Sequence, residues 1–143
     1  TSSDFAKYHP GGALGKRLYL RVSDLTSRNE QPAVKATDSI KDVIIEISNK
    51  RLGVTAVIDD SKKIIGIITD GDLRRMLTKT DDFTALTAAD IMSASPKTLT
   101  SDAMAVDAKE VLEDNNISQL LVEDDNQYTG VVHIHDLIKE GIL

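Results

Sequence analysis

At 143 residues the chain suits one compact domain, or two small units that share a core. Its apolar fraction of 41% excludes a disordered chain, and a 3% aromatic content with no Trp leaves little for stacking on exposed bases. A net charge of -6 with no long Lys/Arg cluster speaks against a nucleic-acid polymer as partner, but a single small phosphorylated ligand needs only local donors. No run approaches the roughly 18 apolar residues of a membrane helix, and no signal peptide is visible, so no membrane partner is expected. The lack of Cys excludes disulfides and thiolate metal sites and fits a cytoplasmic setting. Beginning at Thr1 without Met, the sequence reads as a piece of something longer.

Residues 1–21 read as a linker. Asp4 to Tyr8 could form a short helix, and His9-Pro10-Gly11-Gly12 then breaks regular structure. From Val22 a first pattern begins. Pro32 to Ala36 reads as a short edge strand, with Pro at its start. Thr37-Asp38-Ser39 supplies N-cap residues. Ile40, Val43, Ile44, Ile47 and Arg51 recur at helical spacing, and Gly53 stands at a C-cap position. Val54 to Ile58 and Ile64 to Ile68 are strand-like and flank a turn at Asp59 to Lys63. A helix from about Asp70 to Leu77 follows.

After a polar linker the order repeats. Ala89-Asp90-Ile91-Met92 matches Ser23-Asp24-Leu25-Thr26. Pro96 to Thr100 is the short strand, and Ser101-Asp102 caps a helix with Met104, Ala108, Val111 and Leu112 on its apolar face. Ile117 to Val122 and Tyr128 to His133 are strands, and Asp136-Leu137-Ile138 lies in the last helix. Each copy thus runs strand, helix, strand, strand, helix, over residues 22–80 and 86–143. Two such units are expected to pack sheet to sheet about a pseudo-twofold axis, with a cleft between them.

The corners between last strand and last helix carry the chemistry. Gly66-Ile67-Ile68-Thr69-Asp70-Gly71-Asp72-Leu73-Arg74-Arg75 has a counterpart in Gly130-Val131-Val132-His133-Ile134-His135-Asp136, and Gly66 and Gly130 are 64 positions apart (130 minus 66). A helix start with free N–H groups suits an anion, and Thr69 adds a hydroxyl donor. Asp72 repels phosphate but can accept hydrogen bonds from a ribose diol. Arg74 or Arg75 could neutralise further phosphate charge. Thr69 and Asp72 also read as a capping box serving only the helix. His133 in the Thr69 position is expected to be a poor box partner, so keeping Asp136 there points slightly beyond capping. His133 and His135 lack a third ligand, and no metal is expected.

The two corners and the order of elements resemble the cystathionine β-synthase (CBS) domain tandem, or Bateman module, over residues 22–143. The resemblance implies an α+β fold of two β-α-β-β-α repeats. It implies that Thr69 and Asp72, and likewise His133 and Asp136, contact the phosphate and ribose of an adenine nucleotide or related ligand, with Arg74 nearby. The leading segment Asp4 to Leu18, then Arg21-Val22-Ser23-Asp24-Leu25, together with Thr69 to Arg75, resembles the junction in arabinose 5-phosphate isomerases. Those enzymes join an N-terminal sugar isomerase (SIS) domain to a CBS tandem and interconvert ribulose 5-phosphate and arabinose 5-phosphate for the lipopolysaccharide sugar Kdo. The resemblance implies a C-terminal regulatory portion that needs no cofactor, is inactive alone and forms homo-oligomers. His9 would be an active-site residue only in the whole enzyme, where imidazole can serve enediol chemistry. AMP, ADP, ATP or the end product CMP-Kdo are the expected ligands. An oligomerisation module with degenerate sites is the alternative.

Overall fold

The computed structural model describes residues 19–143; the His9 corner lies outside them. In chain order the elements are α1 (Val22–Thr26), β1 (Ala33–Val34), α2 (Ile40–Lys50), β2 (Val54–Ile58), β3 (Ile64–Thr69), α3 (Asp70–Lys79), α4 (Ala88–Ile91), β4 (Ser93–Ala94), β5 (Thr98–Leu99), α5 (Ala105–Asn115), β6 (Gln119–Asp124), β7 (Gln127–His133) and α6 (Ile134–Lys139). The fold is mixed α+β, with a four-stranded sheet in the order β1-β2-β3-β4 and a three-stranded sheet in the order β5-β6-β7.

The helices form where the apolar spacing places them. In α2 the residues Ile40, Val43 and Ile47 are buried, Ser39 caps the start by accepting the Asp42 amide, and Lys50 lies in the last turn. The helix ends on Arg51 in the left-handed conformation, φ 63°, ahead of the expected Gly53, and its amide closes on Ile47 O. Asn116 ends α5 in the same way, φ 54°. α5 starts from Met104, whose amide donates to Asp107, whereas Thr100 and Asp102 bond each other in the preceding turn. Strand β4 has no apolar signature: both its residues are exposed, and it pairs with β3 through Gly66 and Ile67.

The chain divides into two compact units that cut across the repeats. One contains, among the described residues, 19–30, 98–122 and 130–143, so α1 joins the strands and helices of the second repeat. Its core holds Leu20, Val22, Leu25, Ala108, Leu112, Leu120, Val132 and Leu137. The α1 backbone is anchored there by Val22 N–H to Ala103 O and Ser23 N–H to Ser101 O, both 2.9 Å. The other unit contains residues 31–97 and 123–129, so α4 joins the first repeat. Val34, Val43, Ile47, Val57, Ile68 and Ala88 form its core, and Ala88 N–H donates to Asp38 O at 2.9 Å. Residues 123–129 are the tip of the β6–β7 hairpin, turning on Asp125 and Asn126, both at positive φ. From this tip the buried Tyr128 hydroxyl donates to Pro32 O at 2.8 Å.

Each exchanged leading segment rests on a strand glycine. A methyl at Gly66 would collide with Met92 Sδ, and one at Gly130 would stand 2.9 Å from Thr26 Cβ. Met92 and Thr26 are equivalent positions just after α4 and at the end of α1, so the same close approach is built twice.

Candidate nucleotide-type site

At the first corner, β3 delivers Thr69 to the N-cap of α3. Asp70 N–H donates to Gly53 O at 3.1 Å. Thr69 Oγ1 accepts the Asp72 amide at 3.3 Å, and Asp72 Oδ2 accepts the Thr69 amide at 2.9 Å and the Thr69 hydroxyl at 3.2 Å. The capping box is therefore present, and most donors expected for an anion are already used within the corner. Arg75, one turn on, donates from Nη2 to Asp72 Oδ1 at 2.5 Å. Arg74 is exposed. Spacing could have singled out Arg75, since a cation three residues after an acid faces it on a helix. Asp72, Arg75, Met76, Lys79, Thr80, Leu86, Asp90 and Ile91 line a cavity of about 290 Å³.

The second corner follows the same plan with different partners. Ile134 N–H donates to Ser118 O at 2.8 Å, the counterpart of the Asp70 contact. Asp136 Oδ2 accepts the His133 amide at 2.8 Å. His133 proves to be a competent cap, because its Nδ1 accepts the His135 amide at 3.0 Å. The expectation that imidazole serves poorly there is corrected: Nδ1 lies at about the reach of a Thr hydroxyl. That bond requires a neutral ring with its proton on Nε2. Burial lowers the His133 pKa, the neighbouring His135 lowers it further, and Asp136 opposes them. The two rings lie 4.5 Å apart, yet no set of three or more ligating side chains occurs among the described residues. Asn29, on the loop after α1, donates from Nδ2 to Asp136 Oδ2 at 2.8 Å and to Val131 O at 2.9 Å. No sequence signal points to Asn29, which lies 107 positions from Asp136.

Among the described residues, five helices start with an N-cap amide bound to an aspartate three residues on: Asp24, Asp72, Asp90, Asp107 and Asp136. The acid at this position is thus a general helix device of the chain. What separates the corners is shelter. Asp24, Asp90 and Asp107 are exposed, Asp72 is partly buried, and Asp136 is 7% exposed. Among the described residues, only the two sheltered carboxylates of this set also take a donor from a side chain beyond their N-cap residue, Arg75 in one and Asn29 in the other. A partly desolvated carboxylate at the mouth of a strand-helix corner can accept paired hydroxyl groups strongly.

No described helix is long and apolar enough to cross a membrane. Over its whole length the chain is 43% identical to arabinose 5-phosphate isomerase KdsD of Yersinia pestis, and spans 44% of that protein, less than half. Among solved structures it resembles a CBS domain protein from Pyrobaculum aerophilum complexed with AMP (TM-score 0.74, 24% identity, 82% of this chain and 90% of that one). It also resembles the CBS domain pair of protein MJ0100 in complex with 5-methylthioadenosine and S-adenosylmethionine (TM-score 0.70, 23% identity, 83% and 93% covered). The CBS domain family model matches residues 22–79 and 88–142, one match per repeat. With both repeats matched and the sheets and corners in place, the chain belongs to the CBS domain family.

Proposed function

We propose that this chain is the regulatory CBS tandem of an arabinose 5-phosphate isomerase and senses a nucleotide-type ligand. Its identity to the Yersinia pestis enzyme supports the parent, and the remaining length of that relative would supply the SIS domain and its isomerase chemistry. His9 would then act only in the whole cytoplasmic enzyme, as a homo-oligomer. The observation that carries ligand sensing is the pair of sheltered carboxylates, Asp72 and Asp136, set apart from three exposed caps of the same design. Asp72 would take the ribose diol, with Thr69 beside it. At the second corner Asp136 would do the same and His133 would offer Nε2–H to phosphate. AMP, ADP or ATP fit this chemistry, as does CMP-Kdo through its cytidine ribose and phosphate. Occupancy would be transmitted if the ligand favours one arrangement of the tandem over another.

A second reading, an oligomerisation module with degenerate sites, draws on the donors already used in capping at both corners. Isothermal titration of the chain with AMP, ADP, ATP and CMP-Kdo separates the two. Binding of one of them, weakened about tenfold or more by Asp72→Ala, is the expected result. No heat from any, with self-association intact, establishes the oligomerisation module instead.

A further inference from the structure

We infer that Arg75 is a latch on the first corner, holding the oxygen of Asp72 that a ribose diol needs and yielding it in exchange for a phosphate. The inference rests on the ligand-sensing reading above and adds what selects the ligand. Asp72 Oδ2 is committed to Thr69, through amide and hydroxyl. Oδ1 is the oxygen that Arg75 holds, at 2.5 Å. The pair sits across the edge of the site: the Arg75 side chain is 66% exposed and that of Asp72 is 10% exposed. Gly71 leaves room for the fold-back. A methyl at Gly71 would stand 3.3 Å from Arg75 Nη1, so the guanidinium lies over the first turn of its own helix.

A diol approaching Asp72 competes with Arg75 for Oδ1. A neutral nucleoside has nothing to offer the displaced guanidinium, and it loses a charge-assisted bond for one of comparable worth. A nucleoside phosphate carries its own anion. Arg75 can leave the carboxylate for the phosphate without losing charge complementarity, and its planar fork suits two phosphate oxygens. Lys79 lies one turn further along α3 and lines the same cavity, so a second cation stands beside the phosphate position. Discrimination between nucleotide and nucleoside then comes from an exchange of partners, with the latch penalising ligands that lack the anion.

The test compares ligands that differ only in the phosphate. AMP with adenosine, and CMP with cytidine, are titrated calorimetrically into the chain and into Arg75→Ala. The chain is expected to prefer at least one nucleotide over its nucleoside by about tenfold or more. In Arg75→Ala the nucleotide weakens while the nucleoside binds as well or better, so the preference collapses. Thermal melting checks that the variant folds; should it melt early, Arg75→Gln keeps most of the stem and supplies the same comparison. Equal weakening of nucleotide and nucleoside overturns the latch and leaves ligand sensing standing. So does an unchanged preference, or a collapse caused by Arg74→Ala instead. If the chain takes none of the four compounds and Arg75→Ala takes none either, the latch is overturned, and the ligand-sensing reading falls with it when ADP, ATP and CMP-Kdo also give no heat.

Discussion

The paired glycines under the exchanged segments predict unequal costs for the same substitution. In Gly130→Ala the new methyl would lie 2.9 Å from Thr26 Cβ and 3.1 Å from its Cγ2. Carbon atoms rest at about 3.5–4.0 Å, so both contacts fall well inside the repulsive wall. Thr26 cannot turn away, because its Cβ is fixed to the backbone of α1. That helix is held by Val22 and Ser23 amides and by Val22 and Leu25, both fully buried. Relief requires shifting strand against helix, which overpacked cores show to cost about 1–3 kcal/mol. In Gly66→Ala the new methyl would collide with Met92 Sδ and Cγ, which can swing aside, and would stand 3.1 Å from Met92 Cβ, which must give by a few tenths of an ångström. Met can rotate aside, and replacing Gly where φ is negative returns about 0.4–1 kcal/mol through the unfolded chain. Gly66→Ala is therefore expected to cost less than Gly130→Ala. Thermal unfolding followed by far-UV circular dichroism should place Gly130→Ala about 4–12 °C below the parent. Equal melting temperatures for the two variants would show that the end of α1 does not bear on β7 as described.

Other perturbations test the corners and the core. His133→Thr should flatten the pH dependence of stability below about pH 6.5. Burial lowers the His133 pKa in the fold, so as pH falls the unfolded chain takes up this proton first and the native state loses stability; above that range the contribution is complete. A flat difference between the denaturation profiles of parent and variant from pH 7.5 to 5 would refute it. Asn29→Ala removes the side-chain amide from the sheltered Asp136 and from Val131 O, and should cost about 1–3 kcal/mol in urea denaturation. A loss no greater than that of a surface change would mean that solvent replaces Asn29 freely. Tyr128→Phe deletes the buried hydroxyl, whose pKa burial drives far up, with Glu46 adding to it. Because Pro32 O also accepts the Ala56 amide at 3.1 Å, the expected cost is only about 0.5–1.5 kcal/mol. A cost above 3 kcal/mol would show that the carbonyl depends on Tyr128.

The repeat, its helices and its hairpins were legible because apolar spacing and turn residues carry them locally. Ile40, Val43 and Ile47 mark a face by themselves. β4 was not legible, since exposed Ser93 and Ala94 have no pattern and become a strand only by pairing with Gly66 and Ile67. Arg51 takes the left-handed cap in place of Gly53 because the helix stripe ends before the glycine is reached. The corner aspartates were found, but their specificity was not, because burial separates Asp72 and Asp136 from Asp24, Asp90 and Asp107. Asn29 and the exchange of α1 and α4 depend on contacts far apart in the chain. Their one trace in the sequence is the repeat itself, which sets Gly66 against Gly130 and Thr26 against Met92.

That exchange bears on how such a chain can be divided. A piece cut at the repeat boundary, residues 22–80, would keep α1 but lose Gly130, the seat on which it ends. It would also keep Gly66 with no Met92 to cover it. Two copies of the piece can mend each other, each lending its leading helix to the neighbour's sheet. The fragment should accordingly behave as a domain-swapped dimer, and the intact chain as such a dimer whose halves have been fused by the linker at residues 80–87.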